Sequence, residues 1–356
     1  MSIRVLLVED SPIALNILKR MLESSPEIEI VGTATTGVEA LALLATIRPD
    51  VICTDFFMPH MDGLELTSQV MTSNPLPILV ISGSVQEDDS QRIFQLLEAG
   101  AVDVCPKPIF GLSAQNSVFT QSLINKVKVL SGVKVFRKKR SPFLKRQRSH
   151  HTAQETPAGP TYRPKVIAIG ASTGGPMALQ ELLGSLPRTF PLPILCVQHI
   201  SSGFLEGLIS WLAMTCQLRI QIAPMGERPK PGTIYFPPER QHLLIDNQGQ
   251  FVHSQDPPVD GHCPSVTKTF TSLAEFYGRR TLGILLTGMG RDGADGMKAI
   301  VEAGGLTIAQ DEATSVVFGM PKEAISLGAA RHILPIQKIA PTLLKIVQPC
   351  VPNSIK

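Results

Sequence analysis

Several marks of a secreted or membrane protein are missing from this chain of 356 residues. No apolar run reaches the roughly eighteen residues that a membrane-spanning helix needs. The stretch from Met1 to Asp10 is basic and then apolar, but it has no small-residue cleavage site and ends in two acidic residues. A buried strand is therefore a better interpretation of it than a signal peptide. We expect a cytoplasmic protein without membrane insertion.

Cysteine is scarce and scattered along the chain. None of the six forms a C-x-x-C pair, and in a chain of this length we expect reduced core residues rather than a disulfide framework or a zinc site. The six are Cys53, Cys105, Cys196, Cys216, Cys263 and Cys350.

Acidic residues are absent from one short segment. Residues 134–150 hold eight Lys or Arg and no Asp or Glu, and subtracting those eight from the net charge of +3 leaves −5 for the rest. The segment lies within 131–163, which is basic, rich in Pro and Ser, and lacks an apolar period, so it is predicted to be a linker. Nucleic-acid or acidic-membrane contact is the alternative for such a run. We expect no nucleic-acid partner.

Strand and helix patterns alternate regularly on both sides of this linker. Residues 1–130 contain five βα units with continuous apolar strands, which is typical of a doubly wound parallel sheet. Residues 164–350 resume the alternation, with parallel units around a short antiparallel insert at roughly 232–253. The sequence thus predicts an α/β protein with two doubly wound domains, one flavodoxin-like and one Rossmann-like. Binding residues are expected at the carboxyl ends of the strands.

Polar residues follow four strands of the first domain: Glu9-Asp10, Asp55, Ser82 and Lys107. A parallel sheet would gather them in one crevice. Three carboxylates held together suit a hard divalent cation such as Mg²⁺, and the lysine and hydroxyl could bind an added phosphoryl group. Asp55 lies centrally and could attack a phosphoryl donor. The alternative is that these acids only cap helices or turns.

The first domain resembles a response-regulator receiver domain over residues 1 to about 130. The motifs that carry the resemblance are Glu9-Asp10, Asp55 followed by Met58-Pro59-His60-Met61-Asp62-Gly63, Ser82, and Lys107-Pro108. The resemblance implies that a histidine kinase phosphorylates Asp55 in a Mg²⁺-dependent reaction.

The second domain opens with Gly170-x-Ser172-x-Gly174 between a strand and a helix, a pattern typical of a nucleophile at a sharp turn. A serine nucleophile needs a base and a group that orients the base. His199 and Asp292 each follow a later apolar strand, so all three side chains should converge. Their chain order is Ser, His, Asp, which differs from that of the α/β-hydrolases.

Each member of this set has an alternative interpretation. Ser172 alone is more often a helix cap, and His199 alone is more often a hydrogen-bonded structural residue. His242 and His262 are rival bases, and Cys263 is a rival nucleophile.

The stretch Gly288-Met289-Gly290-Arg291-Asp292-Gly293 also imitates a dinucleotide-binding fingerprint, with Asp311 after the next strand. Against that reading, Asp292 would place a carboxylate among the amides meant for a pyrophosphate. Small residues here equally suit an oxyanion hole, where backbone N–H groups approach a developing negative charge. We favour the oxyanion hole.

The second domain resembles the catalytic domain of chemotaxis methylesterases. The matching stretches are Gly170-Ala171-Ser172-Thr173-Gly174-Gly175-Pro176, Gln198-His199, Pro264-Ser265-Val266, Leu286 to Gly293, Ala309-Gln310-Asp311, and Val317-Phe318-Gly319-Met320-Pro321.

This second resemblance implies a phosphorylation-activated serine hydrolase that contributes to chemotactic adaptation. Ser172 would be the nucleophile, His199 the base and Asp292 the orienting group, with backbone donors at Thr173 and Met289 for the oxyanion. The substrates would be glutamate γ-methyl esters and glutamine side chains of chemoreceptors. No cofactor is implied for this domain, and we expect a monomer.

Two function classes compete with this hypothesis. A DNA-binding response regulator would use the basic segment 134–148, but no helix-turn-helix pattern or aromatic interleaving accompanies it. A non-catalytic regulator would use its second domain only to dock partners. Labelling of Ser172 by a serine-directed reagent would argue against the second class.

Overall fold

A computed structural model describes residues 2–83, 87–108, 113–133, 135 and 162–347 of the chain. None of the helices in these ranges is long and apolar enough to cross a membrane. Of the predicted linker, residues 134 and 136–161 lie outside the described residues.

The N-terminal part forms a five-stranded parallel sheet in the order β2-β1-β3-β4-β5, which confirms the predicted flavodoxin-like topology. Strand order reverses between β1 and β3, so the carboxyl ends of these two strands border the crevice where ligands bind in such sheets. The elements are β1 (Ile3–Val8), α1 (Pro12–Glu23), β2 (Ile28–Ala34), α2 (Gly37–Leu44), β3 (Val51–Thr54), α3 (Gly63–Ser73), β4 (Ile78–Ser82), α4 (Glu87–Ala99), β5 (Asp103–Pro106) and α5 (Ser113–Leu130).

Local sequence explains where these elements begin and which side chains they bury. β4 is buried at every position because helices cover both faces of the sheet. α1 begins with Pro12 directly after Ser11, whose hydroxyl accepts a hydrogen bond from the Ala14 N–H. Asp62 caps α3 in the same way through the Glu65 N–H, at 2.8 Å.

The C-terminal part is built on a seven-stranded sheet in the order β14-β13-β12-β6-β7-β9-β8, with every neighbouring pair parallel. The order reverses between β6 and β12, which sets a second binding crevice at the carboxyl ends of those strands. The elements are β6 (Val166–Ala171), α6 (Gly175–Gly184), β7 (Ile194–Gln198), α7 (Leu205–Ala213), β8 (Arg219–Ile222), β9 (Thr233–Phe236), β10 (His242–Ile245), β11 (Phe251–Ser254), α8 (Val266–Tyr277), a 3₁₀ turn (Gly278–Arg280), β12 (Thr281–Leu285), α9 (Ala294–Glu302), β13 (Leu306–Gln310), α10 (Met320–Ser326), β14 (His332–Leu334) and α11 (Ile336–Val347).

The antiparallel insert is shorter than the sequence predicts. Among the strands of the described residues, β10 and β11 form the one antiparallel pair, a separate two-stranded ribbon. Thr233–Phe236, which was predicted to begin the insert, is instead a parallel strand between β7 and β8 in the main sheet. Its four buried residues explain this position, because a strand buried on both faces belongs inside a covered sheet.

Candidate active site

Ser172 lies at the turn between β6 and α6. Its N–H donates to the Thr287 carbonyl at 3.0 Å, and its carbonyl accepts from the Gly175 N–H at 2.7 Å. α6 is capped by Gly174, which has a left-handed φ of +75° and no capping side chain. Ser172 is therefore not the helix cap, and its hydroxyl forms no hydrogen bond within the described residues.

Gly174 is required at this turn for two reasons. Its positive φ disfavours any residue with a side chain. A Cβ built at this position would also lie 2.6 Å from the Cβ of Val316. The glycine therefore allows the serine turn to pack against the segment that follows β13.

His199 follows β7 and is anchored beside the serine turn. Its backbone N–H donates to the Ala171 carbonyl at 2.9 Å, and its ring Nε2 lies 2.9 Å from Oδ2 of Asp292. Because a carboxylate only accepts hydrogen bonds, Nε2 carries the ring proton and Nδ1 is an acceptor. Nδ1 is buried and has no hydrogen-bond partner among the described residues.

Asp292 is buried and is held by donors from the start of α8. Its oxygens accept from the Ser265 hydroxyl at 2.9 Å and from the N–H groups of Val266 at 2.8 Å and Thr267 at 2.9 Å. Burial by itself would raise the pKa of Asp292. The hydrogen bond and charge of His199, together with hydrogen bonds from Thr267, instead hold this pKa well below its usual range. Asp292 is therefore a fixed anion in contact with Nε2 of His199.

Sequence reasoning missed these donors as supports of Asp292. The motif Pro264-Ser265-Val266 carried the family resemblance but was given no role. The available signal was Ser265 directly before a helical pattern, since serine is favoured as a helix N-cap. Its hydroxyl accepts from the Lys268 N–H while donating to Asp292.

The residues predicted as oxyanion donors lie on neighbouring loops. The Thr173 carbonyl accepts from the Thr287 hydroxyl at 3.0 Å. A Cβ built on Gly288 would lie 2.7 Å from the Cβ of Ser172, so the chain before Met289 passes directly beside the serine. Within the described residues, the N–H groups of Thr173 and Met289 donate to no protein acceptor.

The rival candidates have other contacts. His242 is fully buried, and its Nδ1 accepts from the Ser265 N–H at 3.1 Å, so it is a structural residue. Burial raises the pKa of the Cys263 thiol, which disfavours the reactive thiolate. His262 instead stacks on the ring of His199. Of the rivals, His262 is therefore the one that touches the His199 and Asp292 pair.

A second cluster lies at the carboxyl ends of β1 and β3 in the first sheet. One ligand oxygen from each of Glu9, Asp10 and Asp55 lies within 4.8 Å of the others. The Lys107 Nζ donates to Asp55 at 2.7 Å and to Glu9 at 2.8 Å. Ser82 ends the neighbouring strand β4 and is buried, and its carbonyl accepts from the Lys107 N–H at 2.7 Å.

The electrostatics of this cluster fit a divalent cation. Burial raises the pKa values of both Glu9 and Asp55, although hydrogen bonds from Lys107 act in the opposite direction. The Oε2 atom of Glu9 is buried without a hydrogen-bond partner among the described residues. Hard carboxylate oxygens with one unsatisfied atom are the donor set that Mg²⁺ prefers.

The two sheets are joined by a contact between helices α4 and α7. The Phe94 ring stacks on Trp211, with ring centroids 5.2 Å apart and planes 21° apart, and both rings are buried. Beside them, the Glu98 carboxylate accepts from Trp211 Nε1 at 2.9 Å and from Gln180 Nε2 at 3.1 Å. This interface therefore reaches α7 through Trp211 and α6, the helix that follows the serine turn, through Gln180.

A further contact between the two parts reaches the serine turn itself. The Thr173 hydroxyl donates to Oδ2 of Asp103, the first residue of β5, at 3.1 Å. The same carboxylate oxygen forms a salt bridge with Lys126 on α5. The N-terminal domain therefore touches the residue directly after Ser172.

Comparison with known proteins matches each part of the chain to a family. Residues 5–113 match the response regulator receiver domain model, and residues 167–343 match the CheB methylesterase model. A protein-glutamate methylesterase/protein-glutamine glutaminase of Nitrosospira multiformis is 40% identical over 349 residues, which cover 97% of each chain. One from Hahella chejuensis is 42% identical over 352 residues, covering 98% of this chain and 99% of the relative.

Among solved structures, the catalytic domain of the CheB methylesterase of Thermotoga maritima is similar to the C-terminal part. It is 39% identical with a TM-score of 0.50, and the match covers 52% of this chain and 99% of that domain.

Fold and site together define a response regulator in which a receiver domain is joined to an α/β domain of hydrolase type. Within that class, the chain belongs to the protein-glutamate methylesterase/protein-glutamine glutaminase family.

Proposed function

We propose that this chain is a serine hydrolase that demethylates glutamate γ-methyl esters of chemoreceptors and deamidates receptor glutamines. The names of its relatives support this substrate class. The observation that carries the chemistry is the contact of His199 Nε2 with Asp292, which leaves Nδ1 of the same ring buried and without a partner among the described residues. In the neutral ring, Nδ1 can accept the proton of an attacking hydroxyl.

In the first half of the reaction, Ser172 Oγ attacks the carbonyl carbon of the substrate and its proton passes to Nδ1 of His199. Asp292 stabilises the imidazolium that forms. The negative charge on the substrate oxygen is bound by the N–H groups of Thr173 and Met289. When the tetrahedral intermediate collapses, the proton on His199 moves to the leaving group.

The leaving group decides which of the two activities is observed. An ester substrate releases methanol and an amide substrate releases ammonia, and both leave the same glutamyl ester on Ser172. Water then attacks this ester with His199 as the base, which frees a glutamate side chain and restores the serine. One site therefore accounts for both activities in the family name.

This chemistry is tested by methanol release from methylated receptors. We expect Ser172→Ala to lower kcat by at least about 10³-fold, because no second nucleophile takes over. The matched control is Ser185→Ala, at the opposite end of α6, which should keep wild-type turnover. Retained turnover in Ser172→Ala would contradict the proposed nucleophile.

The receiver domain is proposed to accept a phosphoryl group from a histidine kinase on Asp55. Lys107 would pair with the added phosphoryl oxygens, and Ser82 at the neighbouring strand end would donate its hydroxyl to them. Glu9, Asp10 and Asp55 would hold Mg²⁺, which supplies charge neutralisation between these carboxylates and the phosphoryl group when it is bound. We propose no cofactor for the hydrolase domain.

Phosphorylation is proposed to activate the hydrolase by loosening the contact between the two domains, which would couple receptor demethylation to adaptation. The Phe94–Trp211 stack and the Asp103–Thr173 hydrogen bond support this, because they hold the receiver against α7 and against the residue directly after Ser172. A phosphoryl group need only favour the undocked state to raise turnover. The undocked state should bind receptor helices better.

Three further expectations belong to this proposal. The domains are taken as 1–130 and 164–350, joined by the basic linker 131–163. The partners are methyl-accepting chemoreceptors and a chemotaxis histidine kinase, with no nucleic acid. The enzyme is expected to act as a monomer in the cytoplasm.

A further inference from the structure

The imidazole of His262 lies flat against the imidazole of His199. Their ring centroids are 3.8 Å apart and their planes differ by 7°. Parallel rings this close are in van der Waals contact, so each restricts the orientation of the other. The mechanism above assigns no role to His262.

A tight turn presents the His262 ring. Val259 and His262 exchange backbone hydrogen bonds at 2.9 and 3.1 Å. Between them, Asp260 and Gly261 have φ values of +50° and +80°. Two successive positive φ values with an Asp-Gly sequence are typical of a type I′ turn, which is among the tightest connections available to a chain. The position of His262 is therefore fixed by the backbone.

The same segment also fixes the other side of His199. Three residues beyond His262, the hydroxyl of Ser265 donates a hydrogen bond to Asp292. The N–H of Val266 donates to the same carboxylate. Asp292 in turn holds Nε2 of His199. The stretch 259–267 thus supplies both a face contact for the imidazole and the anchor for its acid partner.

The charges around His262 suit a neutral ring. His199, Asp292 and Lys126 of the receiver are the charged or titratable groups that act on it. Burial and the nearby His199 lower the pKa of His262 to about 4, so it is neutral at neutral pH. A neutral aromatic ring over an imidazolium is an attractive cation–π arrangement, whereas a second cation there would be repulsive.

We propose that His262 is a positioning residue, whose ring holds the His199 imidazole in the plane that joins Asp292 to the nucleophile and stabilises the imidazolium. This inference rests on the proposed function. The role requires a flat ring but no ring nitrogen, since the nitrogens of His262 form no hydrogen bond within the described residues.

The test compares His262→Ala with His262→Phe in the full-length, phosphorylated enzyme, with methanol release as the readout. We expect His262→Ala to lower kcat about tenfold while KM changes less than about twofold. His262→Phe, which keeps a stacking ring, should stay within about threefold of the wild type. His253→Ala is the matched control, because His253 lies on the separate ribbon and contacts the Ala223 carbonyl after β8.

A spectroscopic readout separates positioning from a general effect on folding. The ring protons of His199, assigned with a His199→Asn variant, should show a ring-current shift in the wild type and in His262→Phe. In His262→Ala this shift should be lost while the other histidine signals stay in place. Such a change reports on the stack itself, even if a variant is less stable.

Two results would overturn the inference. Wild-type kcat in His262→Ala would show that the stack does not matter. A loss in His262→Phe as large as in His262→Ala would show that the ring nitrogens act, which is a different role. Ser172→Ala keeps the two proposals apart, since its activity tests the hydrolase itself and not His262.

Discussion

The carboxylate of Asp103 in the receiver accepts a hydrogen bond from the hydroxyl of Thr173 in the hydrolase domain, at 3.1 Å. Thr173 directly follows Ser172, and its N–H is one of the two proposed oxyanion donors. The docked receiver therefore holds Thr173 through a carboxylate that is also paired with Lys126. We infer that docking opposes the reaction by restraining Thr173, next to Ser172, in its contact with the receiver.

Replacing Asp103 by Asn should raise methanol release in the absence of a phosphodonor by about three- to tenfold. Asn keeps the shape and can still accept from Thr173, but a neutral hydrogen bond is about half as strong as a charge-assisted one. Asp50→Asn is the control, because Asp50 bonds the Arg4 N–H at the start of β1, near the opposite edge of the sheet. An unchanged basal rate would refute the inhibitory role of the Asp103–Thr173 contact.

Removing the Phe94 ring should also raise the basal rate. Phe94→Ala eliminates the stack on Trp211, and such a pair contributes about 0.5–1.5 kcal/mol beyond the area it buries. We expect an increase of about tenfold without a phosphodonor and a smaller further increase after phosphorylation. Met214→Ala, an exposed residue just beyond α7, should behave as the wild type. If Phe94→Ala leaves the basal rate low, the α4–α7 contact does not restrain the enzyme.

Asp292→Asn should lower kcat by about 10³- to 10⁴-fold, because an amide no longer selects the His199 tautomer with its proton on Nε2. The substrate KM should change little, since Asp292 is buried behind His199. The measurement is a Michaelis–Menten comparison of methanol release. A kcat within tenfold of the wild type would remove Asp292 from its assigned role.

The same variant has a consequence for stability. The pKa of Asp292 in the folded protein is held below its unfolded value of about 3.9. The ionised carboxylate therefore contributes its full stabilisation at pH values above about 3.9, and this stabilisation is lost as the pH falls through the folded-state pKa. The wild type should therefore exceed Asp292→Asn in free energy of unfolding at pH 6 by ~2 kcal/mol. This difference should narrow below pH ~4. A difference that widens in acid would contradict this assignment.

Magnesium should stabilise the receiver domain. At 100 times its Kd, Mg²⁺ should add about 2.7 kcal/mol to the free energy of unfolding, and thermal unfolding should shift upward by several degrees. Glu9→Gln should lose most of this shift, since Glu9 contributes the unsatisfied carboxylate oxygen. KCl of equal ionic strength is the control. The same shift with KCl would mean that the carboxylates form no specific cation site.

The strand ends made much of the site predictable from sequence. Ser172, His199 and Asp292 each follow an apolar strand, and a parallel sheet brings such positions to one edge. The contact of His199 with Asp292 agrees with that reasoning. The acidic cluster around Asp55 was predictable for the same reason.

Some contacts and elements could not be predicted from local sequence patterns. The stack of His262 on His199 depends on a loop whose path is set by its turn and by the packing of α8, not by any periodicity. The Asp103–Thr173 contact joins two domains, and no spacing within either domain specifies how they dock. β14 has no strand pattern to predict it, because His332–Leu334 is only three residues long and exposes Ile333.

The most direct test of the account is the rate of methanol release from methylated chemoreceptors before and after addition of acetyl phosphate with Mg²⁺. The wild type should accelerate at least about tenfold, a shift of ~1.4 kcal/mol, whereas Asp55→Asn should stay at the basal rate and Ser172→Ala should be inactive under both conditions. Equal acceleration of Asp55→Asn and the wild type, or turnover by Ser172→Ala, would contradict a reaction at Ser172 controlled from Asp55.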